Sequence, residues 1–124
     1  MLKSDTPQLD PWALEQILAL DPSGDVFSEL ALAFSLQLQE QMTKLRTYVT
    51  TKDFDKLRAS SHLLKSSGAY LGAIKFSELC RDLESQSAAK SETSFELAAQ
   101  VIEESISVEQ LLQAEIQRIK NKAS

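Results

Sequence analysis

The stretch Phe54–Gly72, FDKLRASSHLLKSSGAYLG, decides how the whole chain is read. Phe54, Leu57, Ser61, Leu64, Gly68 and Leu71 recur in alternating steps of three and four, the repeat of a helix face turned toward a core. Asp53 stands where an N-cap belongs, and Gly72 stands where a helix ends on a C′ glycine. His62, the one histidine in the chain, falls off that seam. At 100° per residue it points roughly 130° away from the seam's mean direction, so its imidazole is expected in solvent. Lys65, Ser66 and Ala69 share its face at three, four and seven residues on, and Arg58 one turn earlier adds a second cation.

The rest of the chain repeats the helical pattern. In LDPWALEQILAL, Asp10 is placed as an N-cap, Pro11 as the first helical residue, and Leu14, Ile17 and Leu18 as the apolar side. DPSGD stops that helix at Pro22 and Gly24, and Asp25 is placed to cap the next. Phe27, Ala31, Phe34, Leu38, Leu45 and Val49 form the face of a second helix, closed by the polar turn TTKD. After Gly72 the stripe is Ala73, Phe76, Cys80 and Leu83. Thr93 and Glu96 read as a capping box opening a last helix, with Ala98, Val101, Ser105, Val108, Leu112 and Ile119 on its inner side. Helices are expected over about residues 10–20, 26–49, 53–71, 74–89 and 94–120, with no strand alternation and no internal repeat. Four long amphipathic helices with short connections imply an all-α, antiparallel up-down-up-down four-helix bundle, with the first short helix appended. The 124 residues are expected to form a single domain, 1–124.

Composition removes several functions. Thirteen Lys and Arg against 18 Asp and Glu give a net charge of −5 without a long basic run, so nucleic acid is not an expected partner. Nothing approaches the roughly 18 consecutive apolar residues of a membrane span. MLKSDTPQLD lacks the apolar run of a secretory signal, and the lone Cys80 cannot form an internal disulfide, so a cytoplasmic protein is expected. One histidine and one cysteine make a zinc or iron site improbable. Neither GxxxxGK[ST] nor GxGxxG occurs, and no strand–turn–helix elbow exists for a Ser-His-Asp nucleophile. No cofactor, no metal and no ATP site of its own are expected. Beyond the bundle's own core there is no dimerising heptad seam, so the expectation is a monomer.

An exposed neutral imidazole beside a lysine can accept a phosphoryl group, whose added negative charge the ammonium would offset. Spacing alone does not choose that chemistry. Taken alone, an isolated surface histidine is more readily read as a tolerated polar residue.

HLLKSSGAYLGAIKFSELCRDLE, His62–Glu84, looks like the signature of histidine-containing phosphotransfer (HPt) domains. That signature is a histidine, a lysine three on, small residues, Leu-Gly-Ala, and later a leucine, a cysteine and Leu-Glu. DPWALEQILALDPSGDVFSELALAF, Asp10–Phe34, resembles the first helices of stand-alone fungal and plant phosphotransfer proteins. The resemblance runs over about residues 10 to 90, and the last helix is expected to complete the bundle. It implies that His62 is the phospho-accepting residue, that Lys65 steadies the phosphoryl group, and that Gln37 hydrogen-bonds near the histidine. Gly72 matches the glycine of the turn after the histidine-bearing helix. The implied partners are response-regulator receiver domains and a hybrid histidine kinase, with Mg²⁺ supplied by the receiver. A docking patch is expected from Leu14, Ile17, Phe27, Leu30 and Ala33, with Ala69 beside the histidine. For the first five, core and docking compete, Phe27 inclining to core and Leu30 to the interface.

One residue departs from the family pattern. Ser66 follows the lysine where the family has glycine, and its hydroxymethyl would either crowd a partner's loop or donate to phosphoryl oxygens. Two functions follow from the resemblance: a phosphorelay intermediate, or a helical adaptor that docks a receiver or kinase without transfer. An unrelated structural bundle is the third reading.

Overall fold

In the computed structural model, which describes residues 8–123, the described chain is helical throughout its elements. Residues 1–7, part of the stretch read above for a secretory signal, lie outside the described residues. The helices are α1 Pro11–Leu20, α2 Asp25–Thr51, α3 Phe54–Tyr70, α4 Ile74–Ala88 and α5 Thr93–Ala123. Helices α2 to α5 form the antiparallel up-down-up-down bundle: α3 packs on α4, α4 on α5, α5 on α2 and α2 on α3, and α1 lies against α2. Among the described residues no helix is long and apolar enough to cross a membrane.

The seams predicted from spacing are the core. Phe27, Ala31, Phe34, Leu38 and Leu45 of α2 are buried with Leu57, Ser61, Leu64 and Gly68 of α3. Phe76, Cys80 and Leu83 of α4 meet Val101, Val108 and Leu112 of α5 in the same cluster. Val49 and Phe54, at the ends of their stripes, are only partly buried; Phe54 instead stacks on Phe95, ring centroids 5.4 Å apart. Burial pushes the Cys80 thiol up to about 12, so it behaves as a small apolar residue.

Caps set the helix ends, and two differ from expectation. Asp10 accepts the Trp12 N–H, and Asp53 accepts the Lys56 N–H, both as predicted. Asp25, however, is the first residue of α2, and its N-cap is Gly24 at φ +87°. Asp21 takes the capping work, its carboxylate accepting from the Ser23 and Val26 N–H groups and held below its usual range first by the Ser23 hydroxyl. The Thr93–Glu96 box does not form either: Thr93 is already helical, and its N–H donates to the Ser91 hydroxyl. A side chain earlier in the chain, four residues before Asp25 and two before Thr93, outcompetes the predicted cap in each case.

Helix α2 also outruns its expected end by two residues, through Thr51. Thr43, Thr47, Thr50 and Thr51 donate their hydroxyls to carbonyls four residues back, so these side chains are satisfied within the helix. The α3–α4 turn is tighter. Gly72 sits at φ +86°, and its carbonyl accepts the Asp10 N–H at 2.8 Å, pinning the start of α1 to the turn. A Cβ there would stand 2.9 Å from the Asp10 nitrogen, so both conformation and space demand glycine.

Candidate functional site

Helices α3 and α4 approach closely because small residues line their seam. Gly68 lets the Phe76 ring come within 3.0 Å of where a Cβ would be. The Ser77 hydroxyl of α4 donates to the Lys65 carbonyl of α3 at 2.9 Å. Ser61, fully buried, satisfies itself by donating to the Leu57 carbonyl at 2.8 Å. This close packing fixes the backbone that carries Lys65 and, one turn earlier, His62.

His62 emerges from that seam into solvent, its side chain 66% exposed. Glu84, on α4, reaches across to it: Oε2 lies 2.7 Å from His62 Nδ1, and Oε1 accepts from Lys65 Nζ at 2.8 Å. One carboxylate thus holds both α3 residues. The Lys65 hydrogen bond is the main reason the Glu84 carboxyl sits below its usual range; partial burial opposes it and the His62 contact adds to it. Glu84 is therefore an anion at neutral pH. An anion at Nδ1 is an acceptor, so the ring's proton is assigned to Nδ1 and the Nε2 lone pair is left free.

The cleft beside the ring, about 350 Å³, is lined by Asp55, Arg58, Ala59, His62 and Glu84. It opens on the N-terminal side of His62, because helical side chains lean toward their own helix N-terminus. Ser66 and Ala69, on the C-terminal side of the same face, are exposed and outside that lining.

Gln37 occupies a different place from the one the resemblance implied. It lines a groove with Leu30, Ala33, Phe34, Ser67, Tyr70 and Leu71, and no hydrogen bond joins it to His62. The reason is angular. On α3 the side facing α2 carries Ser60, whose hydroxyl donates to buried Gln41, and Ser60 is about 200° around the helix from His62. The docking residues divide likewise. Ile17 and Phe27 are buried core and offer no surface: Phe27 follows its inclination to core, and the candidate docking patch loses both. Leu14 is half-buried against the core, whereas Leu30 and Ala33 open onto the groove. Tyr70, 54% exposed, is an apolar groove residue not picked out from sequence.

Glu84 is the residue beside His62 and Lys65 that spacing missed, although it closes the quoted motif. Its signal was register: His62 lies ten residues before Gly72 and Glu84 twelve after it, so an antiparallel pair folded at that glycine brings them level.

With fold and site in view, three comparisons place the chain. A family model described as the Hpt domain matches residues 29–122, and the chain belongs to that family. It is 33% identical over 75 residues to the phosphorelay intermediate protein YPD1 of Candida albicans, an alignment covering 59% of this chain. The same alignment covers 41% of that curated relative, less than half its length. Among solved structures, histidine-containing phosphotransfer protein B of Pseudomonas aeruginosa PAO1 superposes with a TM-score of 0.82 at 23% identity, covering 92% of this chain and 98% of that one. A putative histidine-containing phosphotransfer protein from rice superposes with a TM-score of 0.76 at 24% identity, covering 94% and 84%. At those identities the two structures speak for the fold.

Proposed function

We propose that this protein is a phosphorelay intermediate in which His62 accepts a phosphoryl group from a receiver-domain aspartyl phosphate and passes it to another receiver. One observation carries the reading: Glu84 holds Nδ1 at 2.7 Å while the exposed ring itself lines an open cleft, so the nitrogen left for attack is Nε2. In the transfer, the Nε2 lone pair forms a bond to phosphorus as the bond to the aspartyl oxygen breaks, and the aspartate leaves as a carboxylate. The ring becomes an N-phosphoryl imidazolium that keeps its Nδ1 proton, and Glu84 stabilises that cation. No proton leaves the site, so the reverse transfer retraces the same path.

Lys65 has three donors and needs only one for Glu84, leaving two to reach phosphoryl oxygens. Ser66 is proposed as a further phosphoryl or partner-loop contact on the C-terminal side of the ring. The receiver supplies the aspartate and its Mg²⁺; positioning and charge dominate such transfers. The groove of Leu30, Ala33 and Tyr70 is the proposed receiver-docking surface, about two helical turns along α3 from His62. A monomeric, cytoplasmic protein served by a hybrid histidine kinase is the setting that fits this reading.

The test is incubation with a panel of phosphorylated receivers, followed by detection of acid-labile, base-stable phosphate. The expected result is label on the wild-type chain and none on His62→Gln. No label from any receiver would leave the non-transferring adaptor, and label surviving in the variant would overturn the residue assignment.

A further inference from the structure

The charges around His62 do not balance once a phosphoryl group is added. Lys65 and Glu84 neutralise one another at 2.8 Å. Asp55, in the same cleft, is a second carboxylate. A phosphoryl group brings about −1.5 to −2 more at neutral pH. Of the residues lining the cleft only Arg58 is a cation, and among the described residues its guanidinium has no ion-pair or hydrogen-bond partner.

Arg58 is also in the right place. It precedes His62 by four residues, which puts the two Cβ atoms about 5–6 Å apart on one helix face. The His62 ring leans back over the turn that carries Arg58 and Ala59. Ala59, between them in the lining, contributes only a methyl group and leaves the space open. A planar guanidinium offers paired donors to phosphate oxygens, a geometry an ammonium cannot copy.

We propose that Arg58 is a phosphoryl-binding residue, closing on the phosphorylated His62 from the N-terminal side while Lys65 approaches from the other. This rests on the phosphorelay reading and names what holds the group once it has arrived. Arg58 forms and breaks no bond; it favours the phosphorylated state over the free imidazole and so moves the transfer equilibrium toward this chain.

The experiment loads the full chain with phosphoramidate, a small donor whose P–N bond breaks as the P–Nε2 bond forms and ammonia leaves. The phosphoryl titration is then followed by phosphorus-31 NMR in wild type, Arg58→Gln and Arg58→Lys, with far-ultraviolet circular dichroism on each. A cation nearby favours the dianion. Its loss in Arg58→Gln should raise the titration midpoint by about half a pH unit, the effect of one exposed charge about 5 Å away. The receiver-to-histidine equilibrium should fall by about three-fold, and Arg58→Lys should restore part of both. Coincident titrations in folded wild type and Arg58→Gln would overturn the proposal. If phosphoramidate labels the wild type but no receiver does, the relay reading falls and the titration still judges Arg58. If the label survives His62→Gln, or none appears on the wild type, both fall.

Discussion

The two flanks of α3 are built from opposite materials. Toward α4 the seam is tight and ends in charge: Gly68 under Phe76, Ser77 on the Lys65 carbonyl, then Glu84 bridging His62 and Lys65. Toward α2 it is looser, with a buried Ser60–Gln41 hydrogen bond and an apolar groove opening at Tyr70. A reactive ring needs a rigid backbone and a fixed counter-charge. A surface that receives different partners needs exposed apolar area and few fixed polar demands. On the proposed function the two lie on opposite flanks of one helix, so each can be built without compromising the other.

The largest effect should come from removing what both flanks share. Leu64 is fully buried, and Leu64→Ala should cost about 2–5 kcal/mol, lowering the thermal midpoint by roughly 10–20 °C. If the flanks are separable, the fraction still folded should transfer phosphate at close to the wild-type rate. Breaking the charged flank comes next: Glu84→Gln should slow labelling of His62 by roughly ten- to a hundred-fold, the value of a charge-assisted hydrogen bond. A rate within two-fold of wild type would show that Glu84 does not set the ring's tautomer.

On the other flank, Ser60→Ala should cost about 1–3 kcal/mol by stranding Gln41 in the interior, with labelling from phosphoramidate unchanged. The double change Ser60→Ala with Gln41→Leu should recover most of that loss, and its failure to do so would mean the pair contributes more than its own hydrogen bond. Acid separates the flanks without mutation. Glu84 is held below the usual carboxylate range when folded, so it binds fewer protons folded than unfolded there. Its contribution is present above the usual range and lost as pH falls through the lowered value. The difference in thermal midpoint between wild type and Glu84→Gln should therefore shrink on acidification, and a constant difference would count against the bridge. The smallest effect is expected at Ser35 of α2, whose buried hydroxyl has no partner among the described residues. Ser35→Ala should raise stability by up to about 1 kcal/mol in chemical denaturation.

Much of this was legible beforehand, for a physical reason. A helix buries one face, so alternating steps of three and four at Leu57, Ser61, Leu64 and Gly68 identify core without any knowledge of what it packs against. The same geometry put His62 outside. Cap positions were less legible because several side chains compete for each helix end, as Asp21 and Ser91 do. Gln37 was misplaced because helix periodicity does not say which neighbour a half-exposed residue will face.

The sequence by itself determined the helices, their inner stripes, the glycine at the α3–α4 turn and the exposure of the one imidazole. These are local or periodic properties, governed by backbone geometry and the burial of apolar groups. Only the tertiary structure decided which atom of His62 is engaged, that Glu84 rather than Gln37 engages it, and that the Arg58 guanidinium beside it has no partner among the described residues. Those facts depend on how far α4 slides along α3 and how the two helices are rotated. Gly72, Gly68 and Ser77 set that slide and rotation together, from positions on both helices.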